Sequence, residues 1–380
     1  MANDAVAGNA TRVAAAEPVD RDDPVQAVLA AYTHELVTAV EETLTAFLAT
    51  EVDSLSEIDA SMGAFAASAR EAVLVGGKRI RPTFAYWGWR GAVGGDEALS
   101  PVLPALAALE LLHTFALVHD DVMDASTTRR GRPTAHVALA DQHVQAGHRG
   151  DPGRFGEAVA VLIGDLCMVW ADQLLAHATV PPARLFEVRR CYDQMRVETV
   201  AGQYLDVLGE NDPASWSVDR ALRVARYKTA SYTVQRPLLF GACLAGVPAN
   251  DPLVSAYTRY GLAVGEAFQL RDDLLGVYGD PAATGKPAGD DLRTGKPTAL
   301  LMLARELATP AQLSALERAG DEPVDRLAEL VAETGAVARV ERMIAERVSD
   351  ALATLDAAPV DRTARTALTG LATAAANRRA

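Results

Sequence analysis

The chain has little of what marks a nucleic-acid-binding, secreted or membrane-spanning protein. Its 36 lysines and arginines are outnumbered by 50 aspartates and glutamates, giving a formal net charge of −14, whereas a general nucleic-acid binder presents a basic surface. The segment from Met1 to Pro24 has neither the cationic start nor the apolar core of a secretory signal. No apolar run reaches the roughly 18 residues of a membrane span, so we expect no membrane anchor.

Cysteines and alternating β-branched runs are also scarce. The three cysteines, Cys167, Cys191 and Cys243, lie far apart in apolar surroundings. This spacing predicts buried thiols in a reducing cytoplasm, not a disulfide framework or a zinc site. The chain is 49% hydrophobic and rich in alanine, leucine and valine. With few strand-like runs between turn residues, this composition predicts an all-α protein.

Apolar residues recur at helical spacing from Pro24 almost to the end of the chain. We expect residues 1–25, which are small, acidic and proline-containing, to be a disordered tail, and residues 26–380 to form one all-helical domain. The stretches 101–119, 157–176 and 261–275 are apolar nearly all round, which predicts central buried helices. Turn residues predict breaks near 76–82, 91–101, 141–156, 211–217 and 278–298.

Two acidic clusters end apolar helical stretches. The first is DDVMD, with Asp120, Asp121 and Asp124, and the second is RDDLLGVYGD, with Asp272 and Asp273. Burying unpaired carboxylates is unfavourable, and the negative end of a helix dipole adds to the cost. Magnesium would relieve both penalties, because it prefers carboxylate oxygen and often shares its site with phosphates. Two such clusters on facing helices would hold a metal-bridged diphosphate; the alternative for either cluster is a solvated acidic helix end.

Basic residues accompany both clusters. Arg129 and Arg130 follow the first cluster with forked donors suited to diphosphate oxygens. Upstream, GGKRIRP places Lys78, Arg79 and Arg81 after a glycine pair that includes Gly77, and glycine lets backbone approach an anion closely. An ordinary basic loop is the alternative. Between the clusters, Lys228 and Thr229 project from an otherwise apolar helical run, where a simple surface pair is the alternative.

The combination of motifs resembles the trans-isoprenyl diphosphate synthases. The motifs that carry the resemblance occur in order as GGKRIRP, ELLHTFALVHDDVMD, RRGRPT, GQYLD, YKTASYT, FQLRDDLLGVYGD and GKPAGDDLRTGKPT. The resemblance implies a single large bundle of antiparallel helices around a central cavity, paired as a homodimer. It also implies a cytoplasmic prenyltransferase that condenses isopentenyl diphosphate with an allylic diphosphate, namely the dimethylallyl, geranyl or farnesyl ester.

The resemblance also implies roles for individual residues. Asp120, Asp124 and Asp272 would bind Mg²⁺, as three ions in the family pattern with Mn²⁺ as a substitute, while Asp121 and Asp273 assist. The residues implied to contact the allylic diphosphate are Arg129, Lys228, Lys286 and Lys296. Those implied to hold isopentenyl diphosphate are Gly77, Lys78, Arg81, His113 and Arg130. Thr229 and Gln269 would turn oxygen dipoles toward the developing carbocation, and the basic tail of residues 377–380 would fold over the site.

One position departs from the family pattern. Many members carry a third aspartate in the second cluster, where this chain has Gly276. One metal ion there would be held by Asp272 and water, with Asp280 as a helper.

Residues on the helix before Asp120 are expected to set the length of the product. In the family, bulk at the fourth and fifth positions before the first aspartate limits chain length; here these are Ala116 and Phe115, with Leu112 a turn further. An aromatic residue only at the fifth position resembles geranylgeranyl diphosphate synthases. Farnesyl diphosphate is the competing product because Phe115 is large, and simple core packing is the alternative role for Phe115.

Two other classes of protein compete with this interpretation. A class I terpene cyclase would need an Asn/Asp…Ser…Glu motif on one helix, which Asn211, Ser215 and Asp219 superficially resemble. Pro213 would break that helix, and the last residue is aspartate instead of glutamate. A non-catalytic homologue is disfavoured because the metal and phosphate residues are intact.

Overall fold

The computed structural model describes residues 24–95, 97–212, 215–280, 289–318 and 323–378. These residues form a helical bundle with one two-stranded hairpin, which confirms the predicted all-α class. The first helix begins at Pro24, so residues 1–23 of the expected tail lie outside the described residues.

The helices follow one another with short connections. Their bounds are α1 Pro24–Ser56, α2 Ala60–Leu74, α3 Ile80–Val93, α4 Leu103–Met123, α5 Ala135–Gln145, α6 Pro152–Ala176, α7 Pro182–Asn211, α8 Val218–Val224, a π-helix Ala225–Gln235, α9 Arg236–Ala245, α10 Pro252–Tyr278, α11 Asp290–Thr294, α12 Ala299–Leu307, α13 Pro310–Glu317, α14 Val324–Glu333, α15 Ala336–Asp356 and α16 Arg362–Ala376. The strands β1 Thr128–Arg129 and β2 Arg132–Pro133 pair antiparallel, with Thr128 opposite Pro133.

Two of the three predicted central helices are confirmed. Helix α4 contains residues 103–119 of the first stretch and α10 contains all of 261–275, and every residue of the two stretches is buried or half-buried. The prediction for 157–176 was wrong in part, because α6 buries one face against α4 and exposes Val161, Leu162 and Val169 on the other. An apolar run all round a helix therefore indicated burial on one side only.

Helix α6 also corrects two expectations about its surroundings. The break predicted at 141–156 is shorter, since α5 continues to Gln145 and α6 starts at Pro152, where Asp151 caps the helix by accepting a hydrogen bond from the backbone N–H of Arg154 at 2.9 Å. By length and composition alone, Pro152–Ala176 could cross a membrane, contrary to the expectation that no segment is long enough. Core helices of soluble proteins pass the same test, so this finding is weak evidence for a membrane span.

An 11-residue π-helix joins α8 to α9 without a turn. π-Helical segments are rare and occur mainly at functional sites. This one packs against α7 and α10 and carries both Lys228 and Thr229. The wider turn therefore lies at the place where the sequence suggested a site.

Glycine allows α3 and α9 to pack backbone against backbone. A Cβ on Gly241 would overlap the carbonyl oxygen of Ala85 and lie 2.6 Å from the backbone nitrogen of Trp89. Residues 82–91 of α3 are all buried, so this contact belongs to the middle of the core.

We expect Gly241→Ala to lower the free energy of unfolding by about 1–3 kcal/mol, because overpacking a rigid core has a cost of this size. Urea denaturation followed by circular dichroism measures it. The matched control is Gly370→Ala, since that helical glycine has no atom within 4 Å of an added Cβ; it should gain up to about 1 kcal/mol. Equal effects of the two substitutions would contradict the packing argument.

Candidate active site

A cavity of about 750 Å³ opens between α3, α4, α7, the π-helix and α10. Most residues singled out in the sequence line it. The predicted residues in its lining are Gly77, Lys78, Arg81, His113, Ala116, Asp120, Asp124, Arg129, Arg130, Lys228, Thr229, Gln269, Asp272, Asp273 and Lys296. Lys286 lies outside the described residues.

Asp120 lies in the last turn of α4 and is surrounded by donors. Its Oδ1 accepts hydrogen bonds from Gln203 Nε2 and Lys228 Nζ, each at 2.9 Å, and Arg129 Nη2 lies 3.5 Å from Oδ2. Burial alone would raise the pKa of Asp120, but Lys228 and Arg129 hold that pKa below its ordinary value. The carboxylate is therefore kept charged inside the cavity.

Asp121 has a different environment. Arg129 Nε donates to both of its carboxylate oxygens, at 2.8 and 3.0 Å. The side chain of Asp121 is buried and is not part of the cavity lining among the described residues. Asp121 thus positions the Arg129 guanidinium, which does line the cavity.

Asp124 caps the C-terminus of α4, one turn after Asp120. Burial and the nearby charge of Asp120 raise its pKa, although Lys296 Nζ lies 3.5 Å away. Its Oδ1 is buried and accepts no hydrogen bond from the residues that the structure describes. A buried carboxylate oxygen without a donor is a suitable ligand for a hard cation.

Helix α7 adds functional groups from the GQYLD motif, whose individual residues had no predicted role. Asp206 is buried and accepts from Lys228 Nζ and from Lys296 Nζ, the latter at 3.1 Å. Lys296 also lies 2.9 Å from Glu210. The helical spacing of Gly202 and Asp206 was the available signal, since it places both on one face. A Cβ on Gly202 would lie 2.8 Å from the Cα of Lys228, so α7 touches the π-helix there.

Carboxylate oxygens of three residues cluster around Lys296. Those of Asp124, Asp206 and Glu210 lie within 4.8 Å of one another. Burial opposes the charge of Lys296, but these three carboxylates raise its pKa far above the ordinary value. Lys296 therefore stays an ammonium ion between the first acidic cluster and α7.

The second acidic cluster lies on α10. Arg378 Nη1 donates to Asp272 Oδ1 at 2.8 Å, and its guanidinium stacks 4.7 Å from the centre of the Phe268 ring. Asp273 is buried and accepts from Gln269 Nε2 at 2.8 Å and from the backbone N–H of Ala299 at 3.2 Å. Burial, opposed by the Gln269 hydrogen bond, raises the pKa of Asp273 to about 7. Asp272 thus faces the cavity with a cationic partner, whereas Asp273 ties α10 to α12.

Arg378 is the one described residue of the predicted basic tail that reaches the cavity; residues 379–380 lie outside the described part of the chain. Arg378 belongs to the C-terminal segment that the sequence suggested would fold over the site. Its contact with Asp272 places it at the second cluster.

The hairpin after α4 presents Arg130 to the GGKRIRP loop. Arg130 and Gly131 have φ of 53° and 72°, the left-handed pair of a tight hairpin turn. Arg130 Nη1 donates to the carbonyl oxygen of Gly76, and a Cβ on Gly77 would lie 3.2 Å from the guanidinium. Burial and the charge of Arg378 lower the pKa of Lys78. Several cations therefore converge on this end of the cavity.

Arg81 and His113 form the inner wall of that end. Arg81 Nη2 donates to Thr233 Oγ1 at 2.9 Å, and its guanidinium lies 4.2 Å from the centre of the Tyr232 ring. Burial, followed by the charges of Arg81 and Arg130, lowers the pKa of His113 well below its ordinary value. His113 is therefore a neutral imidazole beside the arginines. Arg79 of the same loop also belongs to the lining, but its Nη1 is paired with buried Glu110 at 2.8 Å.

The three residues expected to set chain length are placed differently. Ala116 lines the cavity one turn before Asp120. Phe115 is half-buried, with its ring 4.8 Å from that of His119, and Leu112 is buried in the core. Neither belongs to the cavity lining among the described residues.

The cyclase-like motif is not on one helix. Asn211 ends α7, Ser215 lies between helices, and Asp219 belongs to α8. Its three side chains are exposed and are not part of the cavity lining. The cavity instead combines two carboxylate groups with lysine and arginine donors, a set that suits a polyanion bound together with divalent cations.

Comparisons with known proteins agree with this geometry. The family model described as polyprenyl synthetase matches residues 64–334. Geranylfarnesyl diphosphate synthase of Aeropyrum pernix is 32% identical over 295 residues, which are 75% of this chain and 86% of the relative. Geranylgeranyl diphosphate synthase of Mycobacterium tuberculosis is 36% identical over 288 residues, which are 73% of this chain and 75% of the relative.

A solved structure is similar along almost the whole chain. It is geranylgeranyl pyrophosphate synthase from Corynebacterium glutamicum, complexed with isoprenyl diphosphate and magnesium, with 40% identity and a TM-score of 0.86. The match covers 91% of this chain and 99% of that one. The matched family model, the shared fold and the two carboxylate groups in one cavity all lead to the same assignment: the chain belongs to the polyprenyl synthetase family and is a trans-isoprenyl diphosphate synthase.

Proposed function

We propose that this prenyltransferase makes geranylgeranyl diphosphate by adding isopentenyl diphosphate to dimethylallyl, geranyl or farnesyl diphosphate. The observation that carries the proposal is the single cavity lined by Asp120 and Asp124 on one side, Asp272 on another, and two sets of cations. One set, around Lys228, serves the first carboxylate group. The other, around Arg81 and Arg130, provides for a second diphosphate.

The carboxylates fit Mg²⁺, with Mn²⁺ as a substitute. Asp120, Asp124 and Asp272 supply the hard oxygen ligands, and the buried Oδ1 of Asp124 accepts no hydrogen bond from the described residues. We propose three ions, as in the family pattern. When bound, magnesium supplies charge neutralisation of the diphosphate leaving group.

The chain's own residues prepare the ionisation step. Lys228, Arg129 and Lys296 bind the allylic diphosphate where its negative charge increases as the C–O bond breaks. The bonding electrons leave with the diphosphate and an allylic cation remains. Thr229 and Gln269 line the same cavity and present oxygen dipoles to that cation.

The second substrate completes the cycle. Lys78, Arg81 and Arg130 hold isopentenyl diphosphate, and neutral His113 beside them can donate or accept a hydrogen bond without adding charge. The isopentenyl double bond attacks the cation to form a carbon–carbon bond. The resulting tertiary cation loses a proton to the released diphosphate, so no protein base is required.

Geranylgeranyl diphosphate is proposed as the product because small Ala116 lines the cavity one turn before Asp120. Each helical turn rises about 5.4 Å, roughly the length of one isoprene unit. Two of the similar proteins carry the geranylgeranyl name. Farnesyl diphosphate is the alternative, favoured by the bulk of neighbouring Phe115, and the geranylfarnesyl synthase relative leaves room for a longer product.

We propose a homodimer. Helix α7 exposes Phe186, Val197, Val200 and Tyr204, and α6 exposes an apolar stripe that includes Leu162 and Val169. Ion pairs from Arg189 and Arg196 to Asp172 hold the two helices side by side. Several large apolar side chains exposed on two linked helices are typical of protein interfaces.

We propose a cytoplasmic location, supported by the cysteines. All three are free thiols, and Cys167 and Cys191 are buried. Burial raises the pKa of the Cys167 thiol to about 12, which keeps it unreactive. Buried, unpaired thiols are typical of a reducing compartment.

Removing either carboxylate group should abolish turnover without unfolding the protein. We expect Asp120→Ala and Asp272→Ala each to lower kcat at least about 100-fold, since even the loss of a partner that only orients a metal ligand costs about 10–100-fold. Steady-state kinetics with circular dichroism measures both effects. Asp219→Ala is the matched control, because Asp219 is exposed and belongs only to the cyclase-like motif. Near-normal rates in the first two variants would refute the metal assignments.

The reaction class and product length are tested together. Protein incubated with Mg²⁺, farnesyl diphosphate and labelled isopentenyl diphosphate should give geranylgeranyl diphosphate on chromatography. Ala116→Phe should stop synthesis from dimethylallyl diphosphate mainly at farnesyl diphosphate, because the added ring fills the cavity beside Asp120. A cyclised hydrocarbon from the wild type would favour the cyclase, and no product would favour a non-catalytic homologue.

Phe115→Ala in the same assay decides whether Phe115 forms the floor of the product tunnel. Products longer than geranylgeranyl diphosphate would assign it that role. Unchanged length would restrict Phe115 to packing against His119.

The dimer proposal predicts a mass in solution of twice 40.2 kDa by light scattering. Leu162→Glu combined with Val169→Glu should convert it to monomer at micromolar concentration, because two charges would be buried at the interface. Leu307→Glu is the control, since Leu307 is 47% exposed on the distant helix α12. An unchanged dimer in the double variant would rule out this surface.

A further inference from the structure

Glu110 is a buried carboxylate in the cavity wall that the proposed reaction does not use. It lies on α4, three residues before His113, and its side chain is 4% exposed. Its Oε2 accepts a hydrogen bond from Arg79 Nη1 at 2.8 Å. Its Oε1 is buried and accepts no hydrogen bond from the residues that the structure describes. A negative charge in a cavity for diphosphates opposes their binding, so this carboxylate must serve another purpose.

Arg79, the partner of Glu110, has an unusual backbone conformation. It directly precedes α3 with φ of 45°, in the left-handed region. A residue with a side chain stays in this region only where its surroundings hold it there. The guanidinium lies 3.4 Å from the carbonyl oxygen of Val73 and 3.4 Å from Glu41, which is 46% exposed. Glu110 is therefore the closest and most buried of the charged partners that hold Arg79.

The conformation of Arg79 determines where its neighbours lie. Lys78 precedes it and Arg81 follows it in the first turn of α3, and both line the end of the cavity proposed for isopentenyl diphosphate. The carbonyl oxygen of Arg79 accepts from the backbone N–H and the hydroxyl of Thr83, at 3.1 and 2.8 Å. Arg79 thus fixes the start of α3 as well as the loop before it. A displacement of Arg79 would move both Lys78 and Arg81.

Glu110 also offsets the charge of the neighbouring cations. Burial and the charge of Arg129 lower the pKa of Arg130, and the negative charge of Glu110 opposes both effects. Several cations close together repel one another. A buried counter-charge among them lets the cations stay in place before the substrate arrives.

We propose that Glu110 is a positioning residue for isopentenyl diphosphate: its ion pair with Arg79 fixes the loop that carries Lys78 and Arg81. This inference rests on the proposed function, since it concerns the second diphosphate site of that reaction. Glu110 acts through the arginine and not on the substrate. The allylic site should be little affected, because Lys228 keeps its own partners, Asp120 and Asp206.

Steady-state kinetics with each substrate varied in turn test the inference. We expect Glu110→Gln to raise the KM for isopentenyl diphosphate about 10-fold or more, because small displacements of positioning groups have effects of this size. The KM for farnesyl diphosphate and kcat should change less than about 3-fold, since distant sites behave independently. A substitution that only loosened the fold would change both KM values together. Glu41→Gln is the matched control, since it removes the exposed carboxylate beside the same arginine; it should leave both KM values unchanged.

A double variant keeps the test valid if Glu110→Gln folds poorly, because that variant leaves Arg79 buried without its close counter-charge. Arg79→Met combined with Glu110→Gln removes both charges, so Tm should recover toward that of the wild type. The KM for isopentenyl diphosphate should stay raised about 10-fold or more, because the loop has still lost its anchor.

Two results would overturn the role of Glu110. One is a normal KM for isopentenyl diphosphate in the single or the double variant, and the other is an equal rise of both KM values. A wild type that forms no prenyl product from farnesyl and isopentenyl diphosphates would instead overturn the proposed function.

Discussion

The site depends on charge balance at the end of α4, where carboxylates are gathered in a partly buried cavity. Two like charges about 4 Å apart repel by roughly 4 kcal/mol at an effective dielectric constant near 20. Lys228 bridges Asp120 and Asp206, and Lys296 lies between Asp124, Asp206 and Glu210. These two ammonium groups offset the repulsion between the carboxylates. The fold can therefore keep charged carboxylates in the cavity, where they can bind a metal-bound diphosphate.

The contacts of Lys228 with these carboxylates require α7 and the π-helix to approach more closely than a residue with a side chain would permit. Gly202 brings α7 against the backbone of Lys228, and the π-helix sets where Lys228 and Thr229 emerge. Gln203, next in the chain, then reaches Asp120. Donors fixed in this way need little rearrangement when charge develops on a leaving group, which is the basis of electrostatic catalysis. Neighbouring residues of α7 therefore serve both helix packing and the hydrogen bonding of Asp120.

Sequence patterns correctly predicted the features that depend on the spacing of residues along the chain. The apolar stretches before both acidic clusters are helices α4 and α10, and most residues chosen from the motifs line one cavity. The patterns failed where the outcome depends on distant partners. Asp280, expected to help the second cluster, is exposed and is not part of the cavity lining among the described residues. The outer face of α6 is exposed despite its apolar run. Asp206 acquires its role only through Lys228 and Lys296, which lie on other parts of the chain, and periodicity does not encode such contacts.

The segment from Gly289 to Lys296 lies between the two acidic clusters and carries a charged side chain toward each of them. Lys296 delivers a positive charge to Asp124 of the first cluster, while Asp291 brings a negative charge beside Gly276 of the second. The backbone N–H of Lys296 donates to the carbonyl oxygen of Asp291 and closes the turn between these two residues. One short turn therefore carries a charged side chain to each side of the cavity. A displacement of that turn would move Lys296 relative to Asp124 and Asp291 relative to Gly276 at the same time.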